Sequence, residues 1–308
     1  MKSFPITGLV AATHTPFRDD GQMHLDAIEH QAAHLVRQGV EFAFVGGTTG
    51  ESHSLTLEER LALADRWMSV TRGSTLKVMV HVGANSVEDA RILANRASRA
   101  GAAAFSAIPP CYFKPRTLDL LVECSEKVAE AAPELPFFYY DIPSMTGVAF
   151  PMGEFLERAS ARIPNLGGLK FSNHDLAMFQ QCLLACEGKL TITFGCDEFL
   201  LAALALGGRA GIGSTYNFAA PLYHRLVKAF ADGRMEDARM EQRRSVCLVA
   251  LLSSFGYMAA SKALMGMLGV NVGPPRLPHA GLSKEAQKSL RLRLEELGFF
   301  DWIKWDPQ

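Results

Sequence analysis

Cysteine is scarce in this 308-residue sequence, and the six cysteines present are not grouped for metal binding or redox chemistry. They include no Cys-x-x-Cys pair and no cluster with zinc spacing. Cys182 and Cys186 are predicted to share one helical face, but they lack histidine partners nearby and are interpreted as packing residues. This cysteine usage predicts a cytoplasmic protein with reduced thiols.

Long apolar runs and an excess of charge of either sign are also missing. No uninterrupted apolar stretch approaches membrane-spanning length, and the first six residues lead almost directly into a strand-like run without a signal-peptide pattern. The 31 basic and 32 acidic residues give a net charge of −1, with no polybasic run. These absences argue against nucleic acid and membrane partners, whereas an anionic small substrate stays possible because it needs only a few local donors.

A dinucleotide-binding motif is absent as well. A Rossmann fold places Gly-x-Gly-x-x-Gly after its first strand, but Thr15-Pro16-Phe17 stands there in this chain, so that fold is rejected. The chain instead alternates helical patterns with short apolar runs, which are typical of strands buried on both faces of a parallel sheet. Eight strands are predicted, at Ile6–Thr13, Phe42–Val45, Lys77–Val82, Ala103–Ile108, Phe137–Tyr140, Leu166–Lys170, Leu190–Phe194 and Ala210–Gly213.

The helical segments have their own signals. Ser86 is predicted to cap a helix whose first turn carries Glu88 and Asp89. An apolar stripe is predicted on an earlier helix, at Leu57, Leu61, Ala64 and Met68. Eight strand–helix units in roughly 215 residues indicate a (β/α)8 TIM barrel spanning residues 1–220. Residues 221–308 are interpreted as a C-terminal helical extension packed on the barrel, with helices predicted at Leu222–Ala231, Met235–Leu252, Tyr257–Leu268 and Lys284–Leu297.

Lys170 is the leading candidate for chemistry, because barrels of this kind carry their active sites at the C-terminal ends of the strands. It closes a predicted buried strand, where loss of water disfavours the charged form of its amine. A neutral amine can attack a ketone and form a Schiff base. The alternative is that Lys170 anchors the strand end through a salt bridge.

Polar residues follow other strands at the same end of the barrel. Thr48 and Thr49 lie in the glycine-rich segment after the second strand, which is predicted to hold a carboxylate or else to form a plain turn. Tyr140 ends the fifth strand and is expected to face the site, whereas Tyr139 alternates toward the helices. The segment Gly211–Asn217 after the eighth strand has no lysine, which favours recognition of hydroxyl groups over phosphate.

Several other polar residues are interpreted as structural. Lys262 lies on an apolar helix, from which its amine is expected to snorkel to solvent. His14 and His81 lie near strand ends without metal-ligand spacing. His53 follows the glycine-rich segment closely and is considered as a residue that lines the pocket.

The chain resembles the N-acetylneuraminate lyase and dihydrodipicolinate synthase superfamily over essentially its whole length. Four motifs carry the resemblance: Gly47-Thr48-Thr49-Gly50-Glu51, Tyr140-Asp141-Ile142-Pro143, Gly168-Leu169-Lys170 and Gly211-Ile212-Gly213-Ser214-Thr215-Tyr216-Asn217. The last motif and Gly273-Pro274-Pro275-Arg276-Leu277-Pro278 resemble the lyase branch in particular. The resemblance implies a (β/α)8 barrel with a helical extension, usually a homotetramer. It also implies pyruvate chemistry through a lysine Schiff base, without a metal or organic cofactor.

By position, the resemblance implies a role for each motif residue. Lys170 matches the Schiff-base lysine, Tyr140 the tyrosine that moves a proton near the imine, and Thr48 and Thr49 the pair that holds the pyruvate carboxylate. Tyr112 matches a tyrosine that reaches into a neighbouring subunit's site, and with Thr49 it is expected to polarise the Tyr140 hydroxyl. The sugar portion of the substrate is expected to contact Ser172, Gly195, Asp197, Glu198, Gly213 and Ser214.

Two positions depart from the pattern. Met145 stands where the synthase branch has an arginine that grips an acidic substrate, which argues against synthase activity. Asp141 follows the tyrosine where other residue types are familiar. The implied activity is that of a class I aldolase that reversibly cleaves N-acetylneuraminate to N-acetylmannosamine and pyruvate. Two alternatives stay open: another pyruvate-dependent aldolase acting on a different sugar acid, and a non-catalytic sugar-binding regulator.

Overall fold

A closed barrel of eight parallel strands forms the body of the protein. The computed structural model describes residues 4–304. Each strand pairs with its neighbours in sequence, and the last strand pairs with the first. The strands are β1 (Gly8–Ala12), β2 (Phe42–Val45), β3 (Lys77–His81), β4 (Ala104–Ala107), β5 (Phe137–Asp141), β6 (Leu166–Phe171), β7 (Thr191–Phe194) and β8 (Ala210–Gly213). The predicted (β/α)8 barrel is confirmed, and every predicted strand end lies within two residues of the observed one.

Helices surround the barrel and continue beyond it. They are α1 (Ala27–Arg37), α2 (Leu57–Val70), α3 (Val87–Ala100), α4 (Leu118–Ala129), α5 (Pro143–Thr146), α6 (Met152–Arg162), α7 (Leu176–Leu184), α8 (Leu200–Ala205), α9 (Ala220–Ala231), α10 (Met235–Ser254), α11 (Tyr257–Met267), α12 (Lys284–Glu296) and α13 (Phe299–Trp302). Short 3-10 turns lie at Ser52–Ser54, Ala185–Gly188, Asp197–Phe199 and Thr215–Asn217. The predicted cap of α3 is confirmed, because the Ser86 side chain accepts from the Asp89 amide.

Strand alternation divides the core into two layers. Phe44, Phe138 and Tyr140 belong to a buried cluster of side chains that fill the barrel interior. Tyr139 belongs instead to the layer between strands and helices, where its ring centroid lies 4.4 Å from that of Phe155. The expected opposite directions of Tyr139 and Tyr140 are therefore confirmed.

The inner face of α2 differs from the predicted stripe. Of the four predicted residues only Ala64 is fully buried, and the buried face consists of Arg60, Leu63, Ala64 and Trp67. The reason is that a charged residue contributes to this face. The Arg60 guanidinium donates to the carbonyl oxygens of His81 and Gly83, at 2.9 Å each, and a pattern that counts only apolar residues misses it.

The helices of the extension stack one on another. α10 contacts α9, α11 contacts α10, and α12 contacts α11. All four helices predicted after residue 220 are present, while the domain boundary at that residue stays a prediction, because α9 begins at Ala220 and also contacts β1. Within residues 4–304, no single helix is long and apolar enough to cross a membrane. α10 and α11 meet the length and composition requirement only as a pair bent by 111°.

Candidate active site

Lys170 lies inside the barrel mouth, between two aromatic rings. β6 carries it there, and it is 3% exposed. Its Nζ lies 3.9 Å from the ring centroid of Tyr140 and 4.2 Å from that of Phe44. Among the described residues no carboxylate comes within 4.0 Å of Nζ, so the salt-bridge alternative has no partner in the fold. A buried amine without an acid beside it suits nucleophilic attack on a carbonyl carbon.

Tyr140 faces Lys170 from the adjacent strand. The two residues are register partners in the β5–β6 pair. The Tyr140 hydroxyl lies 3.3 Å from the Thr48 hydroxyl, and either oxygen can be the donor. The sequence pointed to Thr49 and Tyr112 as the polarising groups, and the structure places Thr48 at that position instead. Thr48 is half-buried, so it can contact both the tyrosine and a bound molecule.

The loop that carries Thr48 and Thr49 is a tight turn after β2. The Glu51 amide donates to the Thr48 carbonyl at 3.0 Å, and the Ser52 amide donates to the Gly47 carbonyl at 3.2 Å. The turn leaves both threonines half-buried at the strand end. Two hydroxyls and adjacent backbone amides in such a turn suit a carboxylate.

His81 was interpreted as structural, and the structure places it beside the rings of Tyr140 and Phe44. Its ring centroid lies 5.6 Å from that of Tyr140 and 5.8 Å from that of Phe44, and its Nδ1 lies 3.1 Å from the Ser106 hydroxyl. Burial, together with the nearby Arg60 charge, holds the pKa of His81 well below its usual value. A neutral imidazole thus packs behind the tyrosine. The alternation of β3 could have revealed that His81 faces the interior.

Asp197 is the most deeply buried acid at the other side of the mouth. Its Oδ2 accepts from the Thr215 amide at 2.9 Å and from the Thr215 hydroxyl at 2.6 Å, whereas its Oδ1 is buried with no hydrogen-bond partner among the described residues. Burial raises the pKa of Asp197 to about 6, although the bonds from Thr215 oppose this. A buried acceptor without a donor is costly, so this oxygen is suited to receive a ligand hydroxyl.

Two glycines make room for the polar groups beside them. A Cβ at Gly213 would overlap the Asp197 carboxylate, and a Cβ at Gly195 would overlap the Ser172 hydroxyl. The Ser172 Oγ is itself buried and has no hydrogen-bond partner among the described residues. The structure therefore brings Gly213 beside Asp197 and Gly195 beside Ser172, while their contact with a sugar stays a prediction.

Ser214 and Glu198 complete this side, with one residue that the sequence did not indicate. The Ser214 hydroxyl lies 2.6 Å from the hydroxyl of Tyr257, at the first position of α11. Glu198 is half-buried in the turn after β7. Tyr257 brings the extension into contact with the barrel mouth. No local pattern marks it, because its position depends on how α11 packs.

The remaining candidates lie at the periphery. Tyr112 is 78% exposed, and its amide donates to the Asn85 side chain at 3.0 Å. Met145 is 65% exposed on α5, and His53 is exposed in the 3-10 turn after the threonine loop. The structure therefore does not place His53 among the buried residues of the mouth. The role of Tyr112 in a neighbouring subunit stays a prediction.

Asp141 is buried beside the site, next to Tyr140 in β5. The Asn173 side chain donates to its Oδ2 at 3.4 Å. Burial raises the pKa of the Asp141 carboxyl to about 7, and the bond from Asn173 opposes this. This departure from the familiar pattern therefore places a buried carboxyl with a raised pKa directly after Tyr140 in β5.

Lys262 does not snorkel to solvent. Its side chain is fully buried, and its Nζ donates to Glu51 Oε1 at 2.8 Å and to the carbonyl of Thr15 at 2.8 Å. The sequence interpretation was wrong because the face of α11 that carries Lys262 packs against the barrel instead of facing water. The described residues contain no group of three or more histidine, cysteine or acidic side chains placed to hold a metal ion.

Comparison with known proteins identifies the family of this chain. The sequence profile of the dihydrodipicolinate synthetase family matches residues 5–297. The N-acetylneuraminate lyase of Gallus gallus is 39% identical over 296 residues, which cover 95% of this chain and 96% of that protein.

Solved structures give the same result for the fold. An N-acetylneuraminate lyase from Aliivibrio salmonicida superposes with a TM-score of 0.93 at 41% identity, covering 97% of this chain and 98% of that one. An N-acetylneuraminate lyase from Proteus mirabilis has a TM-score of 0.92 at 39% identity, covering 96% and 99%. Both similarities span the barrel and the helical extension together.

Proposed function

The chain belongs to the dihydrodipicolinate synthetase family, and on this premise we propose that it is a class I aldolase that reversibly cleaves N-acetylneuraminate to N-acetylmannosamine and pyruvate. It is an enzyme of the carbon–carbon lyase class, as its relatives are. The observation that carries the proposal is the Lys170–Tyr140–Thr48 arrangement. A buried amine without an acid partner faces a tyrosine whose hydroxyl contacts a threonine of the carboxylate loop.

The first steps form the covalent bond. The Lys170 amine attacks the C2 ketone of the open-chain sugar acid, and the resulting carbinolamine takes up a proton and loses water to become an iminium ion. Thr48 and Thr49 hold the adjacent carboxylate and thereby orient C2 toward Nζ. The enclosed position between the rings of Tyr140 and Phe44 keeps bulk water from the amine.

Cleavage follows because the iminium ion accepts electrons. The Tyr140 hydroxyl takes the proton from the C4 hydroxyl while it passes its own proton to the substrate carboxylate; the C3–C4 bond breaks, and its electron pair moves into the iminium to give an enamine. N-acetylmannosamine leaves as an aldehyde. The enamine is then protonated at C3, and water hydrolyses the iminium to release pyruvate and the free Lys170 amine.

The sugar portion lies against the side of the mouth with unpartnered acceptors. The free Oδ1 of Asp197 and the Ser172 hydroxyl receive substrate hydroxyls, and Gly195 and Gly213 leave the space that these two side chains occupy. Glu198 and Ser214 lie at the same rim. Hydroxyl recognition of this kind suits a polyol chain better than a phosphate.

Trapping of the covalent intermediate tests the proposal directly. We expect borohydride reduction in the presence of pyruvate to inactivate the enzyme and to leave a reduced pyruvate adduct on the peptide that contains Leu169 and Lys170. Lys262 is the matched control, since it is also a buried lysine but has its donors occupied. An unmodified Lys170 peptide after full reduction contradicts the mechanism and favours a non-catalytic regulator.

Product assays separate the proposed substrate from that of a related aldolase. We expect N-acetylmannosamine and pyruvate from N-acetylneuraminate, and a lower kcat/KM for a sugar acid that lacks the acetamido group. The reverse preference contradicts the assignment of substrate. The similarity to N-acetylneuraminate lyases does not favour the two alternatives.

A homotetramer and a cytoplasmic location are part of the proposal. Tyr112 and Phe113 are exposed as an aromatic pair with ring centroids 5.0 Å apart, which supports a role at a subunit contact. All six cysteines are free thiols, which suits a reducing compartment. Sedimentation of the purified protein tests the homotetramer, and localisation of the tagged protein tests the cytoplasmic location. No cofactor is required by the proposed chemistry, since the lysine is the covalent catalyst.

A further inference from the structure

Glu51 connects the threonine loop to the C-terminal extension. Its Oε1 accepts from Lys262 on α11 at 2.8 Å, and its Oε2 accepts from the backbone amide of Arg276 at 2.8 Å. Both carboxylate oxygens are therefore held by residues that lie more than two hundred positions later in the chain. We call Glu51, Lys262 and Arg276 the clamp.

The inner half of the clamp is shielded from water. The side chains of Lys262 and Glu51 are each 0% exposed. Lys262 uses three donors on three segments, because it also bonds the carbonyl oxygens of Thr15 at 2.8 Å and Pro274 at 2.9 Å. Buried ion pairs contribute little to stability in general, and their best supported use is to specify one arrangement over others.

The backbone of Glu51 needs such support. Its φ of 54° and ψ of 36° lie in the left-handed region, which residues other than glycine rarely adopt. A conformation of this kind persists where surrounding contacts over-determine it. Because the Glu51 amide closes the turn onto the Thr48 carbonyl at 3.0 Å, the backbone of Glu51 sets the directions of Thr48 and Thr49.

The outer half of the clamp is the Arg276 side chain, which holds the segment that follows the threonine turn. The Arg276 guanidinium donates to Glu59 at 2.7 and 2.8 Å, and to the carbonyl oxygens of Ser54 and Gly21 at 2.8 and 2.7 Å. Glu59 itself forms the capping box of α2 with Thr56. The segment between Thr48 and α2 is thus fixed at both ends by the extension.

We propose that Lys262 and Arg276 are positioning residues which, through Glu51, hold the Thr48–Thr49 turn in the conformation that receives the keto acid carboxylate. The inference rests on the proposed function, because it assigns the extension a part in binding the pyruvate moiety. None of the three residues needs to touch the substrate.

Two variants test the inner half of the clamp, which is the Glu51–Lys262 pair. The assay is the condensation of pyruvate with N-acetylmannosamine. K262M removes the donor, and E51Q/K262M removes both charges so that no lone buried charge is left to unfold the chain. We expect each to raise the KM for pyruvate by about tenfold or more, while the KM for N-acetylmannosamine stays within about twofold. A purely structural role would lower the melting temperature without separating the two KM values.

A matched control variant removes the charge of another buried carboxylate, Glu241. Glu241 has a side chain 5% exposed and pairs with Arg225 on α9 and Arg244 on α10, away from the threonine turn. We expect E241Q to lower the melting temperature and to leave the KM for pyruvate unchanged. A pyruvate KM at the parental value in both clamp variants overturns the inference, and so does an E241Q variant whose pyruvate KM rises as much.

A third variant covers the case in which both buried variants fail to fold. The Arg276 side chain is 21% exposed, so R276L leaves no fully buried group unpaired. We expect a rise of about threefold in the KM for pyruvate, and an unchanged value overturns the inference. Borohydride trapping of the parent with pyruvate distinguishes the two proposals. If the parent forms no adduct, the proposed function fails; if it does and the variants bind pyruvate normally, only the clamp fails.

Discussion

The two sides of the barrel mouth are built differently. The side with Lys170, Tyr140 and Thr48 is packed with aromatic rings, and its polar groups contact one another within the chain. The side with Asp197 and Ser172 leaves one buried oxygen on each of these residues without a partner. The proposed covalent side is therefore organised before substrate arrives, whereas the proposed sugar side lacks hydrogen bonds that a polyol can supply.

The largest effect is expected at the covalent side. K170R keeps a long basic side chain but cannot form a Schiff base, so kcat should fall by about 10⁴-fold or more, the scale seen when a covalent nucleophile is removed. Cleavage of N-acetylneuraminate, followed by release of pyruvate, measures this. Circular dichroism controls for folding. A K170R enzyme as fast as the parent rules out the covalent mechanism and with it the contrast between the two sides.

Tyr140 tests whether proton transfer is separate from covalent capture. Y140F removes the hydroxyl and keeps the ring beside Lys170, so we expect kcat to fall about 10³-fold, within the range for a lost general base. Borohydride trapping of pyruvate should continue, because the amine is unchanged. Equal loss of trapping and turnover would mean that Tyr140 organises the lysine and does not move the C4 proton.

Asp197 tests the sugar side. D197N should lower kcat/KM for N-acetylneuraminate about 30-fold, as expected when a charged hydrogen-bond acceptor of about 2 kcal/mol is lost, while pyruvate trapping stays at the parental rate. Because burial raises the pKa of Asp197 to about 6, the parental affinity for the sugar should weaken as pH falls through about 6. D197N should lack this pH dependence. Weaker pyruvate trapping in D197N would show that the two sides are not independent.

Asp141 should have the smallest effect on activity and a measurable one on stability. Its ordinary pKa of 3.8 rises to about 7 in the fold, so the folded state binds the proton more tightly than the unfolded state. Ionising the buried carboxyl lowers the free energy of unfolding. This loss is small near pH 4, grows as the pH rises from about 4 to about 7, and is complete above about 7.

The variant D141N removes this cost. It should therefore gain about 2 kcal/mol more stability over the parent at pH 8 than at pH 5. Denaturant unfolding at the two pH values measures the difference, and the pH 5 experiment is the internal control. A stability gain that does not depend on pH would show that the carboxyl does not ionise in this range.

Much of the fold could be predicted because its signals are local. Strands buried on both faces appear as short apolar runs, and all eight were found within two residues of their ends. The direction of Tyr139 and Tyr140 followed from strand alternation. The stripe on α2 was found in part, because Leu57, Leu61 and Met68 do pack against the core. The fully buried face also includes Arg60, a charged residue that an apolar pattern misses.

Prediction of the site was uneven for a similar reason. The C-terminal ends of parallel strands meet at one end of a barrel, so Lys170, Tyr140 and Asp197 could be grouped from strand ends alone. Tyr257 and Lys262 could not, since both belong to α11 and reach the mouth only through the packing of the extension. The alternation of β3 directs His81 inward, but its contact with the Tyr140 ring depends on how the interior side chains pack.

Local periodicity and residue chemistry were enough to predict the barrel and to place Lys170 and Tyr140 side by side at the C-terminal ends of neighbouring strands. Tertiary packing alone decided which hydroxyl contacts Tyr140 and which acid pairs with Lys262. Glu51 and Lys262 are separated by 211 positions, and a contact over that distance depends on the relative placement of whole elements. No pattern within a few turns of either residue carries that information.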